Sequence, residues 1–286
     1  MSNIIPDQAQ PLRELVNRQA SSMKIVTIAS GKGGVGKSTI SVNLAIALSK
    51  LGIRPLVIDA DFGLANVDVM LGVNARYNLS HMLRGERKLS EIIQEGHQGV
   101  RFISGGSGVF ELLEMDENQL TGILSDLLLL DNPADIVLLD SGAGINENVL
   151  RLIAESSETI VVTTPEPTAI LDAYALIKTV LHRDSSHAVR LLMNKCDNRK
   201  EGEAAIAGFQ KVIGRHLGTQ IDSLGYVLYD NEVPRSIKQM TPLMISSPNG
   251  TTSRDIMSVA QNLMDLPTQP GRGNLLTRLF SRWRGR

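Results

Sequence analysis

The sequence predicts one α/β domain with a mostly parallel sheet covered by helices on both faces. Short apolar, β-branched runs alternate with helical patterns from end to end of the chain, which is typical of βαβ units. The 286 residues are 42% hydrophobic, enough for a large buried core in one domain. No internal repeat or low-complexity region interrupts the alternation, so we expect no second domain.

The first apolar run, 25–29, leads into a glycine-rich loop. Its spacing is Gly31-x4-Gly36-Lys37-Ser38, and a helical pattern begins at Lys37. Glycines let backbone N–H groups approach a polyphosphate, and the helix offers that anion its positive end. Lys37 can reach the β- and γ-phosphates, and the Ser38 hydroxyl suits Mg²⁺. The pattern predicts a single P-loop NTPase domain. Its predicted nucleotide-binding residues here are Gly31, Lys32, Gly33, Gly34, Val35, Gly36, Lys37, Ser38 and Thr39.

Carboxylates follow two further predicted strands, 55–58 and 135–139. Asp59 and Asp61 come directly after the first, and Asp140 ends the second in a Walker B pattern. Strand ends meet at one edge of a parallel sheet, which is where such sheets bind ligands. We expect Asp61 to position the attacking water and Asp59 to support the surroundings of the metal. Ser38, Asp61 and Asp140 form the predicted Mg²⁺ site. A polar strand exit without function is the alternative for Asp59 and Asp61.

The other elements are assigned from the same alternation. The remaining predicted strands cover 100–104, 159–164, 189–193 and 223–228. The predicted helices cover 40–51, 79–95, 115–130, 169–181 and 253–264. Two loops are expected to act at the site: 141–144 as a sensor of the γ-phosphate, and 229–234 as a segment that closes over the base.

The strand at 189–193 ends in Asn194-Lys195-Cys196-Asp197. The Asn194 amide can hydrogen-bond a purine edge. Asn-Lys-x-Asp is also the guanine signature of many GTPases. A GTPase of the signal-recognition type therefore stays open as an alternative.

Composition restricts the classes of partner. The net charge is −1, which gives no bulk electrostatic case for nucleic acid. Cys196 is the one cysteine, so no intramolecular disulfide can form, as is typical of a reducing cytoplasm. No apolar stretch approaches the ~20 residues that span a bilayer. We expect a cytoplasmic protein with no direct contact to nucleic acid.

The C-terminal residues predict a separate membrane-targeting helix. Residues 267–273 have the composition of a linker, and 274–286 form a basic amphipathic pattern. Such a helix lies in an anionic bilayer interface. A helix docked on the domain core is the alternative. The apolar residues that share one face of the predicted helix are Leu275, Leu276, Leu279, Phe280 and Trp283.

The glycine-rich loop carries a second lysine, Lys32, directly after its first glycine. This resembles the deviant Walker A motif of the MinD/ParA ATPases, and 59–68 and 140–144 resemble that family's switches I and II. The resemblance covers residues 23–266 and implies ATP and Mg²⁺ as cofactors, with Asn194 on adenine. It also implies that Lys32 acts across an ATP-dependent homodimer, beside Lys37 and Asp61 as catalytic residues.

The first 22 residues are similar to the N-terminal activator segment of the FlhG (FleN/YlxH) regulators of flagellar number. The motif is carried by Asp7, Gln8, Ala9, Leu12 and Arg13. The resemblance implies that these residues stimulate an FlhF-type GTPase. Flagellar C-ring proteins and a flagellar transcription regulator are the further candidate partners.

These resemblances imply a slow ATPase that cycles between a cytoplasmic monomer and a dimer at the inner face of the cell membrane. Two tail helices in a dimer bind a membrane far better than one. A DNA-segregation ATPase of the ParA type is the second alternative, and the near-zero net charge disfavours it.

Overall fold

The computed structural model describes residues 23–61, 66–106, 117–130 and 133–266. The predicted activator segment (1–22), the linker and the membrane-targeting helix (267–286) lie outside the described residues. The described strands are β1 (Lys24–Ser30), β2 (Pro55–Ala60), β3 (Gln94–Glu95), β4 (Arg101–Ile103), β5 (Ile136–Ala143), β6 (Glu158–Thr163), β7 (Ala188–Cys196) and β8 (Asp222–Leu228).

Helices connect most of these strands. The described α-helices are α1 (Lys37–Lys50), α2 (Val67–Leu71), α3 (Leu79–Leu83), α4 (Leu89–Ile92), α5 (Glu117–Leu128), α6 (Glu147–Ala154), α7 (Pro167–Arg183), α8 (Arg199–Leu217), α9 (Glu232–Lys238), α10 (Leu243–Ser246) and α11 (Thr251–Leu263). None of the described helices is long and apolar enough to cross a membrane.

The strands form one sheet in the order β3-β4-β2-β5-β1-β6-β7-β8. Every pairing is parallel except that of β3 with β4. The central strands are buried on both faces, which is why they read as nearly continuous apolar runs. The predicted fold class is confirmed.

Alternate residues of each strand face two different helical layers. On one face, Val26 and Ile28 of β1 pack with the buried helix α1 and with α11. On the other face, α3, α4 and α5 cover the half of the sheet near β2. The half near β7 is covered there by α6, α7 and α8. This two-sided burial leaves the strand ends as the place for a site.

Three local expectations were wrong. The single helix expected over 79–95 is α3, α4 and the short β3, because the chain turns at Gly85, which has φ 72°. The expected loop 141–144 begins as strand, since Ser141 pairs with Ala60 and Ala143 pairs with Ser30. The expected loop 229–234 contains the first turn of α9. Helices α2, α6, α8 and α10 were not anticipated.

The two ends of the described chain meet at the edge of the sheet opposite the strand carboxyl ends. The Lys24 Nζ donates to the Leu263 carbonyl (3.3 Å) at the end of α11. The buried Glu158 carboxylate pairs with Lys24 (2.5 Å) and with Arg190 (2.8 Å). Residues 1–22 and 267–286 therefore join the domain at neighbouring points.

Candidate nucleotide site

Strand order brings the predicted motifs together. β5 lies between β1 and β2 in the sheet, although it begins only at Ile136, whereas β2 ends at Ala60 and β1 at Ser30. Asp140 of β5 pairs with Ile28 on one side and with Asp59 on the other. The P-loop after β1, Asp61 after β2 and Asp140 therefore lie side by side at the carboxyl edge.

A cavity of about 510 Å³ opens at this edge. Gly33, Gly34, Gly36, Lys37, Ser38 and Thr39 line one end of it. Asp61 and Asn194 also line it. Of the predicted nucleotide-binding residues, Gly31, Lys32 and Val35 are not in its wall. The cavity is large enough for a nucleotide, since ligand pockets span about 300–1,000 Å³.

At two glycine positions of the loop, a larger residue would overlap neighbouring atoms. A Cβ at Gly31 would overlap the backbone carbonyl of Asp172 in α7. Gly36 has φ 100°, and a Cβ there would lie 2.5 Å from Nδ2 of Asn194. Only glycine adopts such a φ without strain. The loop is thus closely packed between α7 and the end of β7.

Lys37, the first residue of α1, is buried with 8% of its surface exposed. Burial lowers the pKa of its ammonium group, and the nearby Asp140 and Asp61 carboxylates oppose that shift. Its side chain therefore lies close to both predicted metal ligands, as the P-loop pattern requires.

Asp140 is 1% exposed, and its two carboxylate oxygens differ. Oδ1 accepts a hydrogen bond from Ser41 (2.8 Å), whereas Oδ2 is buried with no partner among the described residues. Burial raises the pKa of Asp140 to about 6, with a smaller raising effect from the Asp61 charge. Hydrogen bonds from Ser38 and Ser41 and the charge of Lys37 oppose this shift. A buried carboxylate oxygen without a donor is costly, and a divalent cation would satisfy it.

The described residues do not form a metal cage by themselves. No group of three or more His, Cys, Asp or Glu side chains among them is placed to hold a metal. Mg²⁺ is commonly bound by one or two carboxylates together with substrate phosphates. Ser38, Asp61 and Asp140 fit that mode, in which the nucleotide brings the remaining ligands.

Asp61 and Asp59 have different surroundings. If Gly142 carried a Cβ, that atom would lie 3.5 Å from Oδ1 of Asp61. The segments that resemble switches I and II are therefore in contact at these two residues. Asp59 accepts backbone N–H bonds from Asp61 (3.2 Å), Asn66 (2.7 Å) and Val67 (3.0 Å). Burial, then the Asp140 charge, raises the pKa of Asp59 to about 7. Asp59 thus fixes the backbone N–H group of Asp61 and those at the start of α2.

The Lys32 side chain does not line the cavity. Its Nζ lies 3.1 Å from Oε2 of Glu166 and 2.8 Å from Oγ1 of Thr168, at the start of α7. Both charged side chains are partly exposed, Lys32 by 39% and Glu166 by 67%. The two lysines of the loop therefore lie on different sides of it.

Two side chains of the segment 194–197 donate hydrogen bonds to the backbone of the P-loop. The Asn194 Nδ2 donates to the Val35 carbonyl (2.8 Å), and the Lys195 Nζ donates to the Gly34 carbonyl (2.7 Å). Asp197 is exposed and does not line the cavity, and its backbone N–H donates to Glu201 (2.6 Å). A guanine-reading carboxylate is therefore not placed at this cavity.

The sequence predicted only some of the residues that line the end of the cavity away from the P-loop. The residues there that were not predicted as site residues are mostly apolar, and they come from α2 and from β8 to α11. They are Met70, Val227, Leu228, Tyr229, Asp230, Val233, Pro234, Ile237, Leu243, Thr252 and Ile256. Residues 229–234 do line the cavity, as expected, but the apolar residues around them carry no motif that sequence could reveal.

A ParA family model, described as NUBPL iron-transfer P-loop NTPase, matches residues 21–264. The antiactivator FleN of Pseudomonas aeruginosa is 34% identical over 264 residues, which cover 90% of this chain and 94% of FleN. The chain belongs to the MinD/ParA family of P-loop ATPases. The flagellum site-determining protein YlxH of Helicobacter pylori is 37% identical over 249 residues, covering 83% of this chain and 80% of YlxH.

Solved MinD/ParA structures share the fold. MinD of Pyrococcus horikoshii, in complex with Mg-ADP, has a TM-score of 0.71 at 24% identity and covers 84% of this chain and 96% of its own. MinD of Pyrococcus furiosus has a TM-score of 0.72 at 23% identity, covering 85% and 99%. As a MinD/ParA ATPase, the chain uses ATP with Mg²⁺ as its cofactors and hydrolyses ATP to ADP and phosphate.

Proposed function

We propose that this ATPase is a dimerising switch that regulates the number and placement of flagella. The name of one relative, the flagellum site-determining protein YlxH, supports the flagellar role. The other relative, FleN, is named an antiactivator, which supports a regulatory role. The alignments with both extend over at least 80% of either chain. Both relatives therefore share most of the ATPase domain of this chain.

The position of Lys32 carries the proposal of a dimer. It belongs to the phosphate loop, yet its ammonium group pairs with Glu166 and Thr168 on an exposed surface. A cation there does not reach a nucleotide in its own cavity, but it can approach phosphates bound by a second copy. A γ-phosphate adds negative charge that Lys32 meets only in that dimer, so ATP favours the dimer over the monomer.

Hydrolysis is assigned to the residues gathered at the carboxyl edge. Lys37 would bind the β- and γ-phosphates, and Ser38 and Asp140 would hold Mg²⁺, which neutralises negative charge on the phosphates when bound. Asp61 would position the attacking water. Loss of the γ-phosphate removes the attraction to Lys32 of the partner subunit, so the dimer separates.

Asp61→Ala tests the switch. We expect this variant to bind ATP, to lose hydrolysis and to accumulate as a dimer in ATP, measured by light scattering after size exclusion. Lys32→Ala in the same background removes the charge across the interface and should return the protein to a monomer. A monomeric Asp61→Ala protein in ATP would contradict the proposal.

Membrane and partner contacts are assigned to the two terminal segments. The helix at 274–286 binds anionic lipid weakly as a monomer and firmly as a dimer, because two linked contacts act together. Dimerisation thereby moves the protein from the cytoplasm to the inner face of the membrane. The chain enters the domain at Met23 and leaves it at Leu266, at the edge opposite the nucleotide.

The N-terminal segment is assigned to an FlhF-type GTPase, with Gln8 and its neighbours as the activating residues. Flagellar C-ring proteins and a flagellar transcription regulator are the further proposed partners. Gln8→Ala should lower the stimulation of GTP hydrolysis, measured with the purified partner, while the ATPase rate of this chain is unchanged. Equal stimulation by the wild-type protein and by the Gln8→Ala variant would reject the activator role.

A further inference from the structure

The last three residues of β7 connect the two ends of the nucleotide cavity. Asn194 donates from Nδ2 to the Val35 carbonyl (2.8 Å), and Lys195 donates from Nζ to the Gly34 carbonyl (2.7 Å). The Cys196 carbonyl accepts from the backbone N–H of Tyr229 (2.8 Å). One strand end thus contacts both the phosphate loop and the segment at the opposite end of the cavity.

Lys195 keeps an unfavourable backbone conformation to do this. Its φ is 57°, in the left-handed region that costs a residue with a Cβ free energy. Such a conformation persists where the surrounding structure imposes it, and it is found preferentially at functional sites. The loop lies directly against the pair, because a Cβ on Gly36 would be 2.5 Å from Nδ2 of Asn194 and 3.9 Å from Cε of Lys195.

We propose that Lys195 is a positioning residue for the phosphate loop, acting together with Asn194. A peptide unit is planar and trans, so its C=O and the following N–H point in opposite directions. Holding the carbonyls of Gly34 and Val35 on the β7 side turns the N–H groups of Val35 and Gly36 to the other side. These N–H groups are donors of the kind that a P-loop offers to phosphate.

The hydrogen bonds from Asn194 and Lys195 preorganise a flexible loop for nucleotide binding. Residues 31–38 contain four glycines, and glycine loses more conformational freedom on ordering than any other residue. A loop already fixed by two side-chain hydrogen bonds loses less freedom when a nucleotide binds. The Asn-Lys-x-Asp segment therefore acts here through its first two residues on the loop backbone, and Asp197 takes no part.

This role has a kinetic signature. Lys195 donates to the loop backbone, and in this proposal it acts only by fixing the loop, so it supports ground state and transition state equally. Loss of such uniform binding raises KM and leaves kcat unchanged. A loss of folded protein would instead lower the apparent kcat and the melting temperature.

The experiment compares Lys195→Met with wild-type full-length protein. We expect the Kd for ADP with Mg²⁺, measured by calorimetry, and the KM for ATP to rise together by about five- to tenfold, as for the loss of a charge-assisted hydrogen bond. The kcat should change by less than about twofold. Lys200→Met is the matched control, since Lys200 is exposed and its side chain has no hydrogen bond or ion pair with any described residue. Its ADP affinity should equal that of wild type.

Two further variants separate positioning from folding. Lys195→Arg keeps a long cationic donor and should restore most of the ADP affinity. Lys195→Gly removes the donor but suits φ 57°, so it should bind ADP as weakly as Lys195→Met while the nucleotide-free protein melts no lower than wild type. An unchanged Kd in Lys195→Met, or an affinity loss in Lys195→Gly that follows a lower melting temperature, would overturn the proposal. ADP binding is measured without membrane or flagellar partner, so the result is independent of the flagellar role.

Discussion

The Nζ of Lys32 lies 3.1 Å from Oε2 of Glu166 within the same chain. The Thr168 hydroxyl accepts a second hydrogen bond from the same ammonium group (2.8 Å). Lys32 therefore has intramolecular partners that it would leave, at least in part, in the proposed dimer to approach phosphates in a second copy. These contacts would oppose that dimer by the small free energy of an exposed ion pair, about 0.2–1 kcal/mol.

Releasing Lys32 should make the dimer easier to form. We expect Glu166→Gln combined with Thr168→Val, in the Asp61→Ala background with ATP, to lower the dimer dissociation constant by about two- to fivefold. Sedimentation velocity over a concentration series measures it. Glu147→Gln is the control, because it removes another exposed ion pair, with Arg183. Weaker dimerisation in the double variant would show that Glu166 or Thr168 supports the interface instead.

Asp140→Asn should raise the stability of the nucleotide-free protein and abolish its metal-dependent nucleotide binding. Oδ2 of Asp140 is buried without a described partner, and burial raises the pKa of this carboxyl to about 6. Removing the charge should stabilise the nucleotide-free protein by about 1–3 kcal/mol, a rise of a few degrees in Tm. The same change should abolish Mg²⁺-dependent ADP binding. Thermal unfolding and calorimetry measure the two effects.

Asp126→Asn serves as the control for this pair of measurements. Asp126 lies exposed on α5, so its substitution should leave both the melting temperature and ADP binding near wild type. A destabilised Asp140→Asn protein would mean that the carboxylate is satisfied in the free protein, contrary to the unpaired oxygen.

The pH dependence follows from the same buried carboxyl. The pKa of Asp140 is raised from 3.8 to about 6, so the nucleotide-free folded state binds this proton more tightly than the unfolded chain. Its contribution to stability is full below about pH 3.8 and is lost as pH rises through about 6. Asp59, with a pKa of about 7, extends the loss in the same direction.

Mg²⁺ competes with the proton on Asp140, so metal-dependent binding should strengthen over the range in which free-state stability falls. We expect the ratio of ADP affinities with Mg²⁺ and with EDTA to increase about tenfold per pH unit below pH 6 and to level off above it. A ratio of affinities that is constant from pH 5 to 8 would exclude a metal-binding carboxylate that titrates in this range.

Gly31→Ala should destabilise the domain through packing alone. A Cβ at this position overlaps the Asp172 carbonyl in α7, which is backbone and cannot move aside easily. The expected cost is about 1–3 kcal/mol, measured by chemical denaturation. Gly208→Ala, where a Cβ meets nothing within 4 Å, should instead stabilise α8 by about 0.5–1 kcal/mol. Equal stability of the two variants would show that the loop moves freely away from α7.

Removing the tail should reduce membrane binding and leave the nucleotide site intact. We expect co-sedimentation of the full chain in ATP with liposomes that contain anionic lipid to exceed that of a chain ending at Arg272. The difference should diminish in ADP, because a monomer presents one helix instead of two, and at high salt. Equal pelleting of the two chains would assign the helix another role.

Local sequence patterns were sufficient for the parts of the site that are contiguous in the chain. The spacing of Gly31, Gly36, Lys37 and Ser38 dictates a strand, a tight loop and a helix start, and the structure contains these elements. The apolar run ending at Asp140 was predicted as a buried strand for the same reason. Where short turns decide the outcome, as at Gly85, the helical pattern of 79–95 was misleading because local hydrogen bonds around the turn outweigh periodicity.

The sequence by itself determined that a P-loop ATPase of this family is present, because its motifs specify local backbone and local chemistry. Only the tertiary structure decided what the other polar residues contact. Glu166 meets Lys32 across 134 positions of sequence, and Asn194 meets Val35 across 159. Strand order places them together, since β5 inserts between β1 and β2 while β6 and β7 continue on the other side. A residue's neighbours across the sheet depend on that order, which no pattern within a single segment contains.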